Sequence, residues 1–225
     1  MTSYRLREDL SFCQVDGHPI FLDMGGDRYF KLSGDMESIF MAWLDNACTE
    51  KGISLLVEQK ILMAQSSPYR NPVGLIQKVQ KAQLSALELP PPPASCSVKT
   101  LIEVFATVSR IQVQLKATGI KRTVERVLGH RGTTETRATD HSDREKLLAT
   151  THNFLEARKL LPIGTCCLPD SLAMAKFLKK RGTRINIVIG VTSDPFSAHC
   201  WAQAGDIVLN DALGNTRIYS PIRVL

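Results

Sequence analysis

Four consecutive prolines at positions 90–93 constrain this chain more than any other feature, because they divide it into two parts. Proline fixes its own φ angle and lacks an N–H group, so such a run can neither continue a helix nor pair within a sheet. It favours an extended, stiff spacer. We therefore expect a first domain over 1–66, a linker over 67–96 and a second domain over 97–225. Within the linker, residues 74–88 are compatible with a connecting helix.

Composition indicates an ordinary globular protein of the cytoplasm. Apolar residues make up 44% of the 225 residues. No apolar run approaches the roughly 20 residues that span a bilayer, and the start MTSYRLREDLSF lacks the apolar core of a signal peptide. The six cysteines show no C-x-x-C spacing, which argues against a zinc site and against a disulfide framework. We expect no bound metal and no membrane span.

The net charge of +6 is unevenly distributed along the chain. Residues 1–89 carry 9 Lys and Arg against 11 Asp and Glu, a net charge of −2. Residues 90–225 carry 19 against 11, a net charge of +8. A basic half can bind nucleic acid or an acidic peptide. No nucleic-acid motif accompanies the charge, so a solvated surface is the simpler interpretation and no nucleic-acid partner is expected.

The first domain has the pattern of three strands followed by two helices. The runs YRLREDLSFCQV, HPIFLDM and DRYFKLS are rich in β-branched and aromatic residues, and Asp-Gly and Gly-Gly turn sequences separate them. Ser33 or Asp35 can cap a helix over DMESIFMAWLDN, where apolar residues recur at helical spacing. A second helix is expected over TEKGISLLVEQKIL.

The second domain begins with helices and ends with strands. Apolar residues recur at helical spacing in VKTLIEVFATVSRIQVQLKA, KRTVERVLG and SDREKLLATTHNFLEARKLL, and a further helix over TCCLPDSLAMAKFLKKRG ends at Gly182. The runs INIVIGV, AHCWAQA and DIVLN read as strands, with a Gly205-Asp206 turn between the last two. Helices followed by a helix packed on antiparallel strands predict an α+β fold.

Cys167, His199 and Asp211 lie on elements where they can form a catalytic triad. A cysteine nucleophile needs a low pKa, which a helix N-terminus promotes, and Cys166 and Cys167 both lie at a helix start. The helical period points Cys167 with the side expected to pack on the sheet, which favours it over Cys166. Strand alternation puts His199 and Trp201 on one face, and we expect that face to lie against the cysteine helix. A hairpin brings Asp211 near the histidine strand, where it can orient the imidazole.

Each of these three residues also has a structural explanation. A cysteine near a helix start is more often a small buried hydrophobe, and a lone strand histidine is more often a hydrogen-bonded structural residue. An aspartate at a strand end is usually a turn residue. Their order and placement favour a papain-like cysteine hydrolase, but the residues alone leave the structural explanation open.

Several spaced motifs here resemble the lasso-peptide biosynthesis B proteins, a family of transglutaminase-like cysteine proteases. The motifs, within about residues 160–222, are Cys167-Leu168, Ile189-Gly190-Val191, Pro195-Phe196-Ser197-Ala198-His199-Cys200-Trp201 and Asn210-Asp211. The resemblance implies that Cys167 is the nucleophile, His199 the general base and Asp211 the residue that orients it. Cys200 stands where a small residue such as alanine is usual, and Cys166 adds a second thiol, but neither change removes a triad member.

The first domain resembles the small PqqD-like, winged-helix-like domain that binds leader peptides in such systems. The resemblance implies that the leader of a precursor peptide is added as a strand against the third strand, beside the last helix of the domain. The leader-contacting residues implied here are Tyr29, Phe30, Leu32, Ile53, Leu56 and Lys60. Alternation alone would place some of the strand residues in the core.

The resemblance implies a leader peptidase of lasso-peptide maturation, which cuts the leader from the core peptide. The implied partners are the precursor peptide and a separate ATP-dependent, asparagine-synthetase-like cyclase. This chain contains no P-loop, so no cofactor is expected to bind it directly and ATP would be used by the coupled system. One alternative is an acyltransferase on the same scaffold. Another is a winged-helix nucleic-acid-binding regulator, against which the acidic balance of residues 1–89 counts.

Overall fold

The computed structural model describes residues 3–65, 79–91, 97–129 and 141–225, and they form an α+β fold, as predicted. The elements in chain order are β1 (Ser3–Leu6), β2 (Leu10–Val15), β3 (His18–Asp23), β4 (Arg28–Lys31), α1 (Gly34–Leu44), α2 (Glu50–Glu58), β5 (Leu62–Gln65), β6 (Leu84–Ser85), α3 (Val98–Leu128), α4 (His141–Lys159), α5 (Cys167–Lys179), β7 (Asn186–Ser193), β8 (Phe196–Ala204), β9 (Ile207–Val208), α6 (Leu213–Arg217) and β10 (Ser220–Val224).

The N-terminal part contains an antiparallel sheet in the order β2-β3-β4, covered on one face by α1 and α2. Phe21 is central to this small core, because its ring stacks on Phe30 at 5.1 Å and meets Phe40 edge-on at 4.9 Å. The prediction of one strand over YRLREDLSFCQV is wrong. A turn closed by the Leu10 N–H and the Arg7 carbonyl divides it into β1 and β2, and β1 pairs with β5, which was not predicted.

The other face of this sheet is buried against the C-terminal part of the chain, so the two parts share one core. Cys13, Ile20 and Leu22 pack into the C-terminal cluster of apolar side chains. Strand β10 lies beside β2. The Asp27 carboxylate accepts hydrogen bonds from the Ile120 N–H at 3.3 Å, where α3 restarts after a break at Gly119. That break separates the two helices predicted at this point of the sequence.

The described part of the linker runs along the C-terminal sheet and contains no helix over 79–91. Strand β6 pairs in parallel with β9, so that Leu84 lies opposite Ile207. The connecting helix considered for 74–88 is therefore wrong for residues 79–88, because the exposed edge of β9 offers them backbone hydrogen bonds instead. Residues 74–78, like prolines 92 and 93, lie outside the described ranges.

The C-terminal sheet has the order β10-β7-β8-β9-β6, and α5 packs on one of its faces. That face carries Cys200 and Ala202, which join α5 in the main core, whereas Trp201 lies on the opposite face in a separate small cluster. The prediction that the face of His199 and Trp201 lies against the cysteine helix is therefore wrong. Within the described ranges, no helix is both long and apolar enough to cross a membrane.

Candidate active site

The N-terminus of α5 lies against an open edge of strand β8. The β8–β9 ladder covers only Gln203 and Ala204. Beyond it the Ala202 carbonyl accepts a hydrogen bond from the Leu209 N–H at 2.9 Å, and the Ala202 N–H donates to the side-chain oxygen of Asn210 at 2.8 Å. Next along the edge, the Ser171 hydroxyl donates a hydrogen bond to the Cys200 carbonyl at 3.3 Å. The Cys200 N–H donates a hydrogen bond to the sulfur of Cys167. The helix thus approaches the strand from its side, and its first residue meets the backbone beside His199.

All three residues of the predicted triad come together at this edge. The thiol of Cys167 is hydrogen-bonded to the imidazole of His199. The Nε2–H of His199 donates a hydrogen bond to Oδ2 of Asp211. The other ring nitrogen, Nδ1, is therefore the one available to interact with the sulfur of Cys167. His199 can reach the sulfur from the opposite sheet face because the cysteine lies at the edge of β8 and not over its centre.

The pKa values of Cys167 and His199 move in opposite directions. The hydrogen bond to His199 is the main cause that lowers the pKa of the Cys167 thiol, and it outweighs the effect of burial. Backbone N–H groups of Leu168 and Cys200 add to the lowering. The bond to Cys167, followed by that to Asp211, raises the pKa of His199. Together these shifts favour a thiolate–imidazolium pair.

The environment of the neighbouring Cys166 thiol raises its pKa, whereas that of Cys167 lowers it. Burial raises the pKa of Cys166, and the charges of Cys167 and Asp170 raise it further. Cys166 is the N-cap residue of α5 with an extended backbone, whereas Cys167 is the first residue of the helix proper. Of the two adjacent thiols, Cys167 is therefore the one with the lowered pKa.

The Asn210-Asp211 pair has two separate roles in this geometry. Oδ1 of Asp211 accepts the Ala212 N–H at 2.7 Å and the side-chain amide of Asn215 at 2.9 Å, so the carboxylate is held on both oxygens. The Asn210 amide donates to the Ser171 hydroxyl at 2.8 Å and thereby ties β8 to α5. The motif was noted in the sequence, but the role of Asn210 was not predicted.

A cleft of about 350 Å³ opens in front of the triad. Its lining residues are Phe154, Leu155, Arg158, Lys159, Thr165, Cys166, Cys167, Asp170, His199, Cys200, Asn210 and Asp211. Apolar, amide and charged groups surround the thiol of Cys167 here, and such a mixture is usual for a ligand site.

Arg158 holds the segment that leads into α5. Only 6% of its surface is exposed. The guanidinium binds both oxygens of Asp170, at 2.8 and 3.3 Å, and donates to the carbonyls of Ile163 and Gly164 at 3.0 and 2.9 Å. Asp170 in turn accepts the Cys166 N–H at 3.1 Å. Sequence reasoning missed this network, although Arg158 falls four residues after the buried Phe154 on the same helix face.

We expect Arg158→Met to lower the free energy of unfolding by about 3 kcal/mol, because it leaves the mostly buried Asp170 carboxylate without its partner. Urea denaturation measures this loss. Lys159→Met is the matched control, since Lys159 is exposed and pairs only with Glu156 on the surface. An equal loss in both variants would contradict the role assigned to Arg158. The double variant with Asp170→Leu should recover part of the stability.

Gly190, in the Ile-Gly-Val motif, lies directly opposite His199 in the β7–β8 ladder. A Cβ atom at this position would lie 2.7 Å from the Cβ of Tyr219 and 2.9 Å from the indole of Trp201. The Tyr219 ring in turn packs against His199, with ring centroids 5.2 Å apart. Because residue 190 has no side chain, Trp201 and Tyr219 can both pack against its backbone, next to His199.

Gly190→Ala should destabilise the protein by about 1–3 kcal/mol, the usual cost of overpacking a filled core. It should also lower the reactivity of the site, because Tyr219 must move and His199 rests on it. Thermal unfolding and thiol alkylation rates measure the two effects. Gly34→Ala serves as control, since an added Cβ there meets nothing within 4 Å. Indistinguishable behaviour of the two variants would refute the packing role of Gly190.

The residues predicted to contact a leader peptide are distributed over different surroundings. Phe30, Leu32 and Lys60 line a groove of about 330 Å³ between β4 and the end of α2. Ile53 is half-buried against the small core. Leu56 is fully buried there, so its side chain cannot reach a ligand in the groove. Tyr29 lies on the opposite face of β4, against Phe196 of β8 at 5.4 Å between ring centroids.

Within the described ranges no group of three His, Cys, Asp or Glu residues is arranged to hold a metal ion. The site is instead built from a cysteine at a helix start, a strand histidine and an aspartate, an arrangement that recurs in papain-like and transglutaminase-like folds.

The family model of the transglutaminase-like superfamily matches residues 107–224, more than half of the chain, and the protein belongs to this superfamily. A protein named the microcin J25-processing protein McjB, from Escherichia coli, is 41% identical to this chain over 46 residues. That match covers 20% of this chain and 22% of the relative, so it spans about a fifth of either protein. No solved structure matches the chain significantly.

Proposed function

We propose that this protein is a cysteine peptidase of lasso-peptide maturation, which binds the leader of a precursor peptide and cuts it from the core. The observation that carries the proposal is the hydrogen-bonded series Cys167–His199–Asp211 at a cleft. Membership of the transglutaminase-like superfamily supports cysteine chemistry. The motif resemblance to lasso-peptide B proteins and the similarity to a microcin-processing protein support the substrate class.

In this mechanism the Cys167 thiolate attacks the carbonyl carbon of the scissile bond and forms a C–S bond. The imidazolium of His199 gives its proton to the leaving nitrogen as the C–N bond breaks, so the core peptide leaves with a free amine. His199 then takes a proton from water, which attacks the thioester and releases the leader as a carboxylic acid. Asp211 keeps the Nε2–H of His199 oriented throughout.

The groove beside β4 is the proposed binding site for the leader. Among the described strands β4 pairs only with β3, so its other edge is available to an added strand. Phe30 and Leu32 give the groove an apolar floor. Four cationic residues and one acidic residue lie around it, namely Arg7, Arg28, Lys31, Lys60 and Asp23. This surface fits a leader segment in which apolar and acidic side chains alternate.

The partners proposed are the precursor peptide and an ATP-dependent cyclase that takes over the new N-terminus. The released amine is the group such a cyclase needs for closing a ring on an acidic side chain. In this division of labour ATP is consumed by the cyclase, and this chain supplies hydrolysis alone.

Cleavage of a precursor peptide in water enriched with ¹⁸O distinguishes hydrolysis from acyl transfer. Hydrolysis should place one ¹⁸O atom in the new carboxyl group of the leader, because water resolves the thioester. Mass spectrometry of the leader fragment reads out the label. An unlabelled leader joined to an added amine would support an acyltransferase on the same scaffold instead. An intact precursor, with Cys167 still reactive, would refute the peptidase proposal.

A further inference from the structure

Tyr29 connects the proposed leader-binding strand to the strand of the catalytic histidine. Because side chains alternate along β4, Phe30 faces the small core and the groove while Tyr29 faces the C-terminal part. The Tyr29 ring meets Phe196 edge-on, with centroids 5.4 Å apart. Phe196 is the first residue of β8 and precedes His199 by three positions.

The phenol of Tyr29 also lies within electrostatic range of the nucleophile. Burial raises the pKa of Tyr29 to about 12, and the charges of Cys200 and Cys167 contribute to the increase. Although it comes from the N-terminal sheet, the Tyr29 side chain packs against the apolar cluster of the C-terminal part.

A second contact from the same sheet holds the turn that precedes β8. The Ser193 hydroxyl, at the end of β7, donates to the carboxylate of Asp16 in the β2–β3 turn. Phe196, on the other side of this turn, is 50% exposed and pairs with Ser193 in the β7–β8 ladder. The ladder holds the backbone of Phe196 and Tyr29 contacts its ring, so removal of Tyr29 would loosen the Phe196 side chain at the start of β8.

We propose that Tyr29 is a positioning residue, which through Phe196 fixes the start of β8 and with it the contact between His199 and Cys167. A leader peptide added to β4 would then affect the reactivity of the nucleophile as well as hold the substrate. The leader part of this inference rests on the proposed function, whereas the effect on the thiol does not.

The test that needs no substrate is the pH profile of Cys167 alkylation by iodoacetamide, in a Cys166→Ser background, with the labelled peptide identified by mass spectrometry. Tyr29→Ala should move the midpoint of the profile to higher pH and slow alkylation at neutral pH by about five- to tenfold, because an aromatic contact is lost. Tyr29→Phe keeps the ring and should retain the profile of the parent protein.

Tyr4→Ala is the matched control, because Tyr4 is a half-buried tyrosine of the small core that does not touch β8. It should leave the profile unchanged. An unchanged profile in Tyr29→Ala would overturn the proposal, as would equal shifts in both alanine variants.

If Tyr29→Ala does not fold, the Phe196→Leu variant is used in its place. Phe196 is half-exposed, and its variant should shift the profile in the same direction, with an unchanged profile again overturning the proposal.

With a precursor peptide as substrate, Tyr29→Ala should lower kcat by about the same factor while the affinity for isolated leader changes less than about twofold, because the two faces of β4 are separate. Weaker leader binding with unchanged kcat and an unchanged alkylation profile would make Tyr29 a leader contact only and overturn the inference. If the parent protein cuts no peptide, the proposed function fails, and the alkylation profile still tests Tyr29.

Discussion

Cys167→Ala should abolish cleavage of the precursor, with a loss of about 10⁶-fold that takes the rate to the background, as expected when a nucleophile is removed. In the proposed mechanism the sulfur of Cys167 forms the acyl intermediate, and the methyl group of alanine cannot replace it. Leader binding should persist, since the groove beside β4 does not include Cys167. A peptide cleavage assay followed by mass spectrometry measures the first effect, and fluorescence anisotropy of a labelled leader measures the second.

Cys166→Ala is the matched control for this experiment, because it removes the adjacent thiol from the same helix start. The pKa of Cys166 is raised, mainly by burial, whereas that of Cys167 is lowered, mainly by its hydrogen bond to His199. The variant should keep most of the activity. Full cleavage by Cys167→Ala, or loss of cleavage only in Cys166→Ala, would show that the nucleophile has been misassigned.

His199→Ala should have the second-largest effect, lowering cleavage by about 10⁴-fold or more through loss of proton transfer. It should also return the pKa of Cys167 toward the ordinary thiol value of 9.0, because the hydrogen bond to His199 is the main cause of its lowering. The alkylation profile of Cys167 should therefore shift to higher pH. A profile that stays in place would mean that His199 does not activate the thiol.

The same two groups determine the pH dependence of the intact protein. Activity should rise on the acid side as Cys167 loses its proton, at a pH below 9.0 because its pKa is lowered. It should fall on the alkaline side as the imidazolium of His199 loses the proton that the leaving amine needs, at a pH above 6.5 because its pKa is raised. Measurement of kcat/KM across this range checks both limits.

The sequence predicted the α+β class and suggested Cys167, His199 and Asp211 as a triad, because both inferences depend on local patterns. A cysteine at a helix start, a histidine in a strand and an aspartate after a hairpin are each readable from a few neighbouring residues. The way in which Cys167 meets His199 was not predictable in this manner. It depends on β9 ending after Val208, which opens the edge of β8 to the N-terminus of α5.

The shared core was available in the sequence but was not inferred from it. Strand β3 contains the run PIFLD, which is buried at every position. The first four residues of this run, Pro19–Leu22, form a continuous apolar stretch, which is typical of a strand covered on both faces. The proline run at 90–93 instead predicts two separate domains, each with a core of its own. Arg158 was missed for another reason, since its partner Asp170 is on a different helix and only tertiary structure brings them together.

The small sheet places one face under α1 and α2 and the other within the interior of the C-terminal part. Under the proposed function, leader binding and cleavage would therefore take place on parts of the protein that share a core. The distance from the bound leader to Cys167 would then be set by the fold, and the number of residues between the anchored segment of a precursor and its cleavage site would select the bond that is cut.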